Sequence, residues 1–367
     1  MRTFGVEEEL LIVDPETGQP VAQVERILAV MGRPRDTERE FKLEQIEIQT
    51  APALTHDEIL RQLYRARRSV DQAARQVGAR IAALGTSPLS AATHLSPGAR
   101  FEQMADEYRL TSQEQLTCGL HVHTSVESPE EGIAVLDRIR EWLPLLVAIS
   151  ANSPFWRGTN TGYASYRTQA WNRWPTSGPQ ELFRTVEQYR GLVESMVGTG
   201  AILDEGMVYF DARLSREHPT VEVRVADVCL DAADSALLAV LVRGLVETAA
   251  REAAEGKEPL GTPAALLRLA AWRASRSGLN GDLVHPLEQR PVRATDAVDA
   301  LVAHIAPVLR ESGELHWAER DLKTLLQRGS GERSQREAAI DGLELRAVVA
   351  AAVEATQKHD GGWDAGA

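Results

Sequence analysis

Residues 118–126 read CGLHVHTSV, a stretch that alternates polar and apolar side chains with the period of a β-strand. Successive side chains of a strand point to opposite faces of the sheet, so His121, His123 and Ser125 share one face. The residues between them are mostly apolar and point to the other face. The stretch therefore predicts a strand with a buried back and a front that presents two imidazoles and a hydroxyl group.

Three further segments show the same one-sided alternation: GVEEELLIVD at 5–14, EFKLEQIEIQTAP at 40–52 and TVEVRVAD at 220–227. Their polar faces hold Glu7 and Glu9, then Gln45, Glu47 and Gln49, and finally Glu222, Arg224 and Ala226. Such alternation ordinarily predicts an antiparallel sheet with one face on the core and one in water. Here most polar positions carry residue types that bind metals or transfer protons, which favours the lining of a cavity.

Helices are predicted between these strands. THDE at 55–58 is a capping box that predicts a helix through about residue 84, and SPEE at 128–131 predicts another through about residue 150. Further helices are predicted at about 179–198, 231–255, 263–276, 293–311 and 332–355. Residues 152–179 are rich in aromatic side chains and lack a regular pattern, so they are predicted to form a functional loop. Together these patterns predict an α+β fold in which helices flank a mainly antiparallel sheet.

Length and charge limit the classes of function. The chain has 367 residues and a formal net charge of −13, from 53 acidic and 40 basic residues. This balance disfavours binding to nucleic acid or to an anionic membrane. The N-terminus lacks the apolar stretch of a signal peptide, and no apolar run reaches the about 18 residues of a membrane span. A cytoplasmic protein is therefore expected.

The domain bounds, the two cysteines and one buried-face glutamate each allow a further prediction. A single catalytic domain is expected over residues 1–355, followed by a flexible tail at 356–367. Cys118 and Cys229 are too few for a disulfide framework and are expected to be inert buried thiols. Glu8 points to the apolar face of its strand and is interpreted as salt-bridged at an edge of the sheet.

Convergence of the polar faces would bring several carboxylates within contact distance, where each raises the pKa of its neighbours unless cations are present. Oxygen-rich sites with an occasional imidazole suit Mg²⁺ or Mn²⁺ better than zinc. Such cations beside an arginine are what phosphoryl transfer from a nucleoside triphosphate requires, and Arg224 could stabilise the transferred group. The chain has no Walker motif and no GxGxxG after a strand, so metals and the sheet would have to hold the nucleotide.

The strings GVEEEL, EIQTAP, CGLHVHTSV, ANSPFWRGTNTGYASYR and PTVEVRVADV resemble, in order and spacing, the carboxylate–amine ligases known as glutamate–cysteine ligase type 2. The resemblance covers residues from about 3 to 355. It implies a glutamine synthetase-like fold, in which a curved, mainly antiparallel sheet forms a funnel lined by metal-binding glutamates. It also implies an ATP-dependent reaction that converts the side-chain carboxylate of glutamate to an acyl phosphate, from which the amine of cysteine displaces phosphate to give γ-glutamylcysteine.

The resemblance further implies roles for individual residues by position. The implied metal ligands are Glu7, Glu9, Glu47, His121 and Glu222. The implied catalytic residues are Glu40, Glu222 and Arg224, and the implied contacts to substrate or ATP are Arg167, His123, Asn152, Trp171 and Arg213. Among these, Arg167 is the candidate for binding a carboxylate group of the substrate. Departures from the family pattern, at Thr124, Ser125, Leu214 and the GTSP turn at 85–88, leave the acidic set intact and concern the acceptor amine.

Several alternatives stay open on the sequence. A ligase of the same type could use a different amine, a metal-dependent hydrolase could use the same carboxylates without Arg224, and a silent relative could bind ligand only. His123 could also be a packed core histidine or an orienting neighbour of a ligand. The expected partners are small molecules, namely glutamate, an amine such as cysteine, and ATP with Mg²⁺ or Mn²⁺. An exposed helix face would allow a homodimer.

Overall fold

The computed structural model describes residues 1–339 and 344–358, and its largest element is a seven-stranded antiparallel sheet. Its strands are β1 (Phe4–Val13), β2 (Thr37–Arg39), β3 (Gln45–Gln49), β4 (Arg80–Ala82), β5 (Gly119–Ser125), β8 (Ala212–Leu214) and β9 (Thr220–Asp227). Their order is β2-β3-β1-β5-β9-β8, and β4 pairs with the end of β1. Two small ribbons join β6 (Phe155–Trp156) to β7 (Thr159–Asn160) and β10 (Asp282–Val284) to β11 (Pro291–Arg293).

Fourteen α-helices lie in the described residues, so the predicted α+β class is confirmed. They are α1 (Val24–Met31), α2 (His56–Gln76), α3 (Ala99–Tyr108), α4 (Leu110–Glu114), α5 (Pro129–Ile139), α6 (Leu143–Ser150), α7 (Tyr166–Trp171), α8 (Val186–Gly198), α9 (Ala232–Ala254), α10 (Ala264–Ser277), α11 (Ala294–Glu311), α12 (Leu315–Arg328), α13 (Gly331–Ala338) and α14 (Leu345–Thr356). Among the described helices, none is both long and apolar enough to cross a membrane.

The apolar core lies behind the sheet. Its centre is α9, which is apolar on nearly all sides and packs against α2, α5, α6, α11 and α12. Leu120, Val122 and Val223 point from the sheet into this core and are almost fully buried. The strands therefore turn their polar faces away from α9, toward the front of the molecule.

Several predicted helices have different bounds in the structure. The helix predicted through residue 84 ends at Gln76, because Gly78 adopts a positive φ and the chain then enters β4. The helix predicted through residue 150 is divided into α5 and α6, with Pro144 in the first turn of α6. Residues 152–179 contain the β6–β7 ribbon and α7, so they are more regular than a loop.

The C-terminal prediction is only partly covered by the described residues. The helix predicted at 332–355 corresponds to α13 and α14, while residues 340–343 between them lie outside the described part. Within the expected tail, Thr356 ends α14 and is buried. Residues 359–367 lie outside the described residues.

The two predicted capping motifs differ in detail. At the start of α2, the Thr55 hydroxyl accepts from the Glu58 backbone N–H, and the Glu58 carboxylate accepts from the Thr55 N–H, which completes the capping box. At the start of α5, the Ser128 hydroxyl accepts from the Glu131 N–H. The Glu131 carboxylate instead accepts from the backbone N–H of Glu127, one residue earlier.

A β-bulge interrupts the pairing of β5 with β9. Leu120 lies opposite Ala226 and Val122 lies opposite Val223, so two residues of β9, Arg224 and Val225, face the single residue between them on β5. The extra residue advances the alternation by one position. Ala226 therefore points into the apolar core, where it is 2% exposed, and the prediction that it shares the polar face of Arg224 is wrong.

Glu8 is salt-bridged, but the prediction that it lies at a sheet edge is wrong. Its strand, β1, is flanked by β3 and β5, and its carboxylate is completely buried behind the sheet. Arg67 of α2 donates to both carboxylate oxygens at 2.7 and 2.8 Å and also to the backbone carbonyls of Cys229 and Leu230. The Ser235 hydroxyl donates to the same carboxylate at 2.5 Å. This network ties β1 to α2, α9 and the end of β9.

Candidate active site

Polar side chains from five adjacent strands form a row across the front of the sheet. The cross-strand pairs along this row are Glu47 with Glu9, Glu7 with His121, His123 with Glu222, and Glu222 with Arg213. Directly opposed residues have Cβ atoms about 4.5–5.5 Å apart, so the register alone brings these groups into contact range. The row lines a cavity of about 380 Å³.

The carboxylates and imidazoles form overlapping clusters. Three groups have ligand atoms within 4.8 Å of one another: Glu9 with Glu40 and Glu47, Glu7 with Glu47 and His121, and Glu7 with His123 and Glu222. Glu40 joins them from the segment between β2 and β3. The structure thus brings together every carboxylate that the sequence assigns to a metal site or to catalysis.

Negative charge is crowded at the β3 side of the row. Burial raises the pKa of Glu47 well above its ordinary value, and the charges of Glu40 and Glu7 raise it further. Burial also raises the pKa of Glu40 and of Glu9, with the charge of Glu40 adding to the effect on Glu9. A divalent cation bound here would offset this repulsion.

The two histidines of β5 contact the carboxylate of Glu7 from both of its oxygens. The distances from His121 Nδ1 to Glu7 Oε2 and from His123 Nε2 to Glu7 Oε1 are both 3.2 Å. Burial opposes ionisation of Glu7, but its hydrogen bonds with the two histidines outweigh this and hold its pKa well below the ordinary value. His123 Nδ1 also lies 2.9 Å from the Thr220 hydroxyl. Both imidazoles therefore face the cavity, which is not the position of a packed core histidine.

Glu222 lies between two arginines. Its carboxylate accepts from Arg213 Nε at 2.6 Å and from Arg224 Nη1. Burial would raise the pKa of Glu222, but the charges of Arg224 and Arg213 outweigh burial and lower it. The glutamate is thus held ionised, and it fixes the Arg224 guanidinium at the floor of the cavity.

The cavity also contains residues that the sequence patterns do not single out for the site. Its other walls include Arg100, Gln115, Thr117, Tyr209, Arg216 and His218, beside Gln45 and Gln49, which the alternation of their strand predicted to face it. One wall is aromatic and consists of Phe41, Phe101, Trp171, Trp174 and Tyr209. Trp171, which the resemblance implied as a contact to substrate or ATP, lines the cavity, and Trp174 belongs to the same aromatic-rich segment, whose composition was the available signal. The others come from elements far apart in sequence and carry no local pattern.

Two predicted contact residues do not reach this cavity. Asn152 is completely buried, and its amide donates to the backbone carbonyls of Ala83 and Val228 while its oxygen accepts from Gln335. Arg167 is 2% exposed and is not part of the cavity lining; it packs against Gly119, on the same face of β5 as His121. The Asn152 side chain cannot contact a ligand in the cavity in this arrangement, because protein atoms enclose it and pair its amide.

The donor set fits a hard divalent cation and a phosphate-bearing ligand. Carboxylate oxygens dominate it, with imidazole as the minority ligand, as Mg²⁺ or Mn²⁺ sites require. Among the described residues, His121 Nε2 and Arg224 Nε are buried without a hydrogen-bond partner. Buried polar atoms are rarely left unpaired, so both are free to meet a ligand. The arrangement can bind metal ions and place a guanidinium beside a transferred phosphoryl group.

Comparison with known proteins gives sequence relatives over the whole chain. A family model described as Glutamate-cysteine ligase family 2 matches residues 3–351. A Paenarthrobacter aurescens (strain TC1) protein named "Putative glutamate--cysteine ligase 2-3" is 56% identical over 341 residues, covering 93% of this chain and 80% of the relative. Another from the same strain, "Putative glutamate--cysteine ligase 2-1", is 51% identical over 375 residues, covering 100% and 98%.

Solved structures share the fold at low sequence identity. A bifunctional glutathione synthetase from Pasteurella multocida has a TM-score of 0.70 at 15% identity over 97% of this chain, which spans 52% of that protein's length. Glutamate–cysteine ligase from Francisella tularensis in complex with AMP has a TM-score of 0.69 at 14% identity, covering 98% of this chain and 89% of that one. These similarities confirm the glutamine synthetase-like fold predicted from the sequence.

Proposed function

This chain belongs to glutamate–cysteine ligase family 2 and is an enzyme of the glutamate–cysteine ligase type, and we propose that it forms γ-glutamylcysteine from glutamate, cysteine and ATP. The observation that carries the proposal is the row of five carboxylates, two imidazoles and Arg224 on one cavity face. Hydrolysis of an amide does not depend on an arginine beside the carboxylate cluster, whereas in phosphoryl transfer such an arginine stabilises the charge of the transferred group.

Each part of the site fits one part of this reaction. Glu7, Glu9, Glu40, Glu47, His121, His123 and Glu222 are the residues that would hold Mg²⁺, which would shield the charge of the triphosphate. The side-chain carboxylate of glutamate attacks the terminal phosphorus of ATP, and the bond to ADP breaks. Arg224 donates to the phosphoryl oxygens as charge shifts during this transfer, and Glu222 and Arg213 keep it in place.

The second step forms the amide bond. The amine nitrogen attacks the acyl carbon, the carbon–oxygen bond to phosphate breaks, and the nitrogen loses a proton. The buried sheet and the aromatic wall exclude bulk water from the cavity floor, which protects the acyl phosphate from hydrolysis.

The test is ADP formation from ATP and Mg²⁺ with glutamate and cysteine added singly or together. We expect ADP only when both are present, with the mass of γ-glutamylcysteine in the product. Glu222→Gln should lower kcat at least about 100-fold, because Arg224 loses its anchor and a ligand atom is lost. Glu255→Gln, an exposed change on the same chain, is the matched control. Hydrolysis of an amide by the wild-type protein without ATP would instead support the metal-dependent hydrolase.

The aromatic wall favours one further candidate, a ligase of the same type with another amine. Phe41, Phe101 and Trp174 offer apolar surface for an acceptor side chain larger than that of cysteine. A screen of amines for glutamate-dependent ADP production tests it. An acceptor with kcat/KM about tenfold above that of cysteine would replace cysteine in the proposal.

A further inference from the structure

The helix α10 packs on the protein by one side and leaves an apolar side exposed. Its inner side is buried through Leu267, Ala271 and Ala274. On its outer side, Leu269 is 61% exposed and Trp272 is 44% exposed. Contiguous apolar surface of this kind marks a place where a protein contacts another molecule.

The exposed positions of α10 have the spacing of a coiled-coil seam. Ala265, Leu269, Trp272 and Arg276 are all exposed and follow one another at intervals of 4, 3 and 4 residues. Since each residue advances by about 100° around the helix axis, the four side chains fall within a sector about 60° wide. Leu266, which is 43% exposed, borders this sector. A seam with this spacing pairs with a second helix through interlocking side chains.

The two ends of the α10 seam carry opposite charges. At the start of the helix, the Glu181 carboxylate accepts from the Ala264 backbone N–H at 2.9 Å, and this side chain is 70% exposed. At the other end, the Arg276 guanidinium lies over the Tyr163 ring and forms no salt bridge within the described residues. A second α10 running antiparallel would therefore place Arg276 beside Glu181 of the partner subunit, whereas a parallel one would place like charges together.

The antiparallel arrangement also matches the sizes of the side chains along the seam. A two-fold axis midway between Leu269 and Trp272 sets Leu269 against Trp272 of the partner subunit, and it sets the small Ala265 against the long Arg276 of the partner subunit. Each contact then occurs twice. A patch that complements its own two-fold image favours a second copy of the chain over an unrelated protein.

We propose that two copies of this chain associate through antiparallel α10 helices, with Leu269 and Trp272 at the centre of the interface and Arg276 paired with Glu181 of the partner subunit at its ends. None of these residues lines the cavity, so the inference does not depend on the proposed function.

Analytical ultracentrifugation of the full chain over a range of concentrations tests this interface. We expect the mass of two chains at high concentration and of one chain on dilution. Trp272→Ala should raise the Kd of the dimer at least about 30-fold, because a tryptophan at the centre of an interface is a typical hot spot. Leu269→Asp should leave only monomer, since the seam would then bury two unpaired carboxylates.

Leu192→Asp is the matched control, because Leu192 is 39% exposed but belongs to α8. It should leave the Kd of the dimer within about twofold of wild type. A dimer with wild-type Kd in both Leu269→Asp and Trp272→Ala would overturn the proposal. A monomer at every concentration would also overturn it, and another protein or residues 359–367 would then be the occupant of this face.

A mixing experiment tests the antiparallel direction. Arg276→Glu and Glu181→Arg should each weaken their own dimer about tenfold, because like charges then meet at both ends of the seam. When the two variants are mixed, both end contacts pair opposite charges again, so a heterodimer should form with a Kd within about threefold of wild type. A contact within one chain could not be restored by mixing. Failure of the mixture to form dimers more readily than either variant alone would reject the arrangement.

Discussion

Asp211 immediately precedes β8, and its carboxyl group provides a pH-dependent test of the fold at the scale of a single residue. Burial raises the pKa of its carboxyl to about 7, and the nearby Arg268 offsets only part of this. The folded protein therefore binds a proton between about pH 4 and pH 7 that the unfolded chain has already released. This group's contribution to stability is full below about pH 4 and is lost as the pH rises toward 7.

Asp211→Asn removes this pH-dependent loss of stability, because the asparagine amide is neutral at every pH. We expect the difference in free energy of unfolding, variant minus wild type, to increase between pH 4 and pH 7. At pH 8 the variant should be more stable than wild type by about 1–2 kcal/mol. Urea unfolding across this range measures the difference. Asp106→Asn, an exposed change in α3, serves as the control. A difference independent of pH would show that Asp211 does not titrate in this way.

The Glu8–Arg67 pair acts at the scale of elements, because it joins β1 to α2 and to the end of β9. Arg67→Met leaves Glu8 as an unpaired carboxylate at complete burial, so the free energy of unfolding should fall by about 3–5 kcal/mol. Replacing both residues by leucine should recover most of this loss. Chemical denaturation of the three proteins measures both effects. A double variant as unstable as Arg67→Met would mean that the pair holds the fold by more than charge compensation.

Sequence reasoning was accurate for the elements whose period is uninterrupted. The alternation in β1, β3 and β5 correctly predicted which residues would face the cavity, because each strand is continuous there. It was wrong for Ala226, since nothing in VEVRVAD marks the bulge at Arg224. The end of α2 was misplaced because the apolar spacing continues past Gln76 into β4, although Gly78 was a visible stop.

Contacts between distant segments limited the prediction of the site. The burial of Arg167 follows from its contacts with Gly119 and Asp227, which belong to other strands. Tyr209 and Arg100 reach the cavity only through the packing of separate elements. No local pattern carries such information.

At the scale of the whole molecule, metal binding should stabilise the fold. Ligand atoms converge only in the folded chain, so Mg²⁺ at 100 times its Kd should add about 2.7 kcal/mol and raise Tm by about 3 °C. Glu47→Gln removes one charge from the crowded cluster, so without metal its Tm should rise above that of wild type. Its gain from Mg²⁺ should be smaller.

Calorimetric scans at constant ionic strength, with and without Mg²⁺, measure these shifts. Glu255→Gln is the control, since Glu255 is exposed and does not line the cavity. An equal gain from Mg²⁺ in wild type and Glu47→Gln would place the bound ion elsewhere.

The interior position of β1 restricts how this enzyme can change. Its three consecutive glutamates have different roles. Glu7 and Glu9 face the cavity, and Glu8 neutralises Arg67 on the opposite face of the sheet. A one-residue insertion that shifted their register would turn the carboxylates of Glu7 and Glu9 into the apolar core and that of Glu8 into the cavity. The strand therefore tolerates almost no insertion or deletion. In a laboratory selection for activity with a new acceptor amine, we therefore expect the selected substitutions to accumulate in the aromatic wall of the cavity. Glu7, Glu8 and Glu9 should remain unchanged.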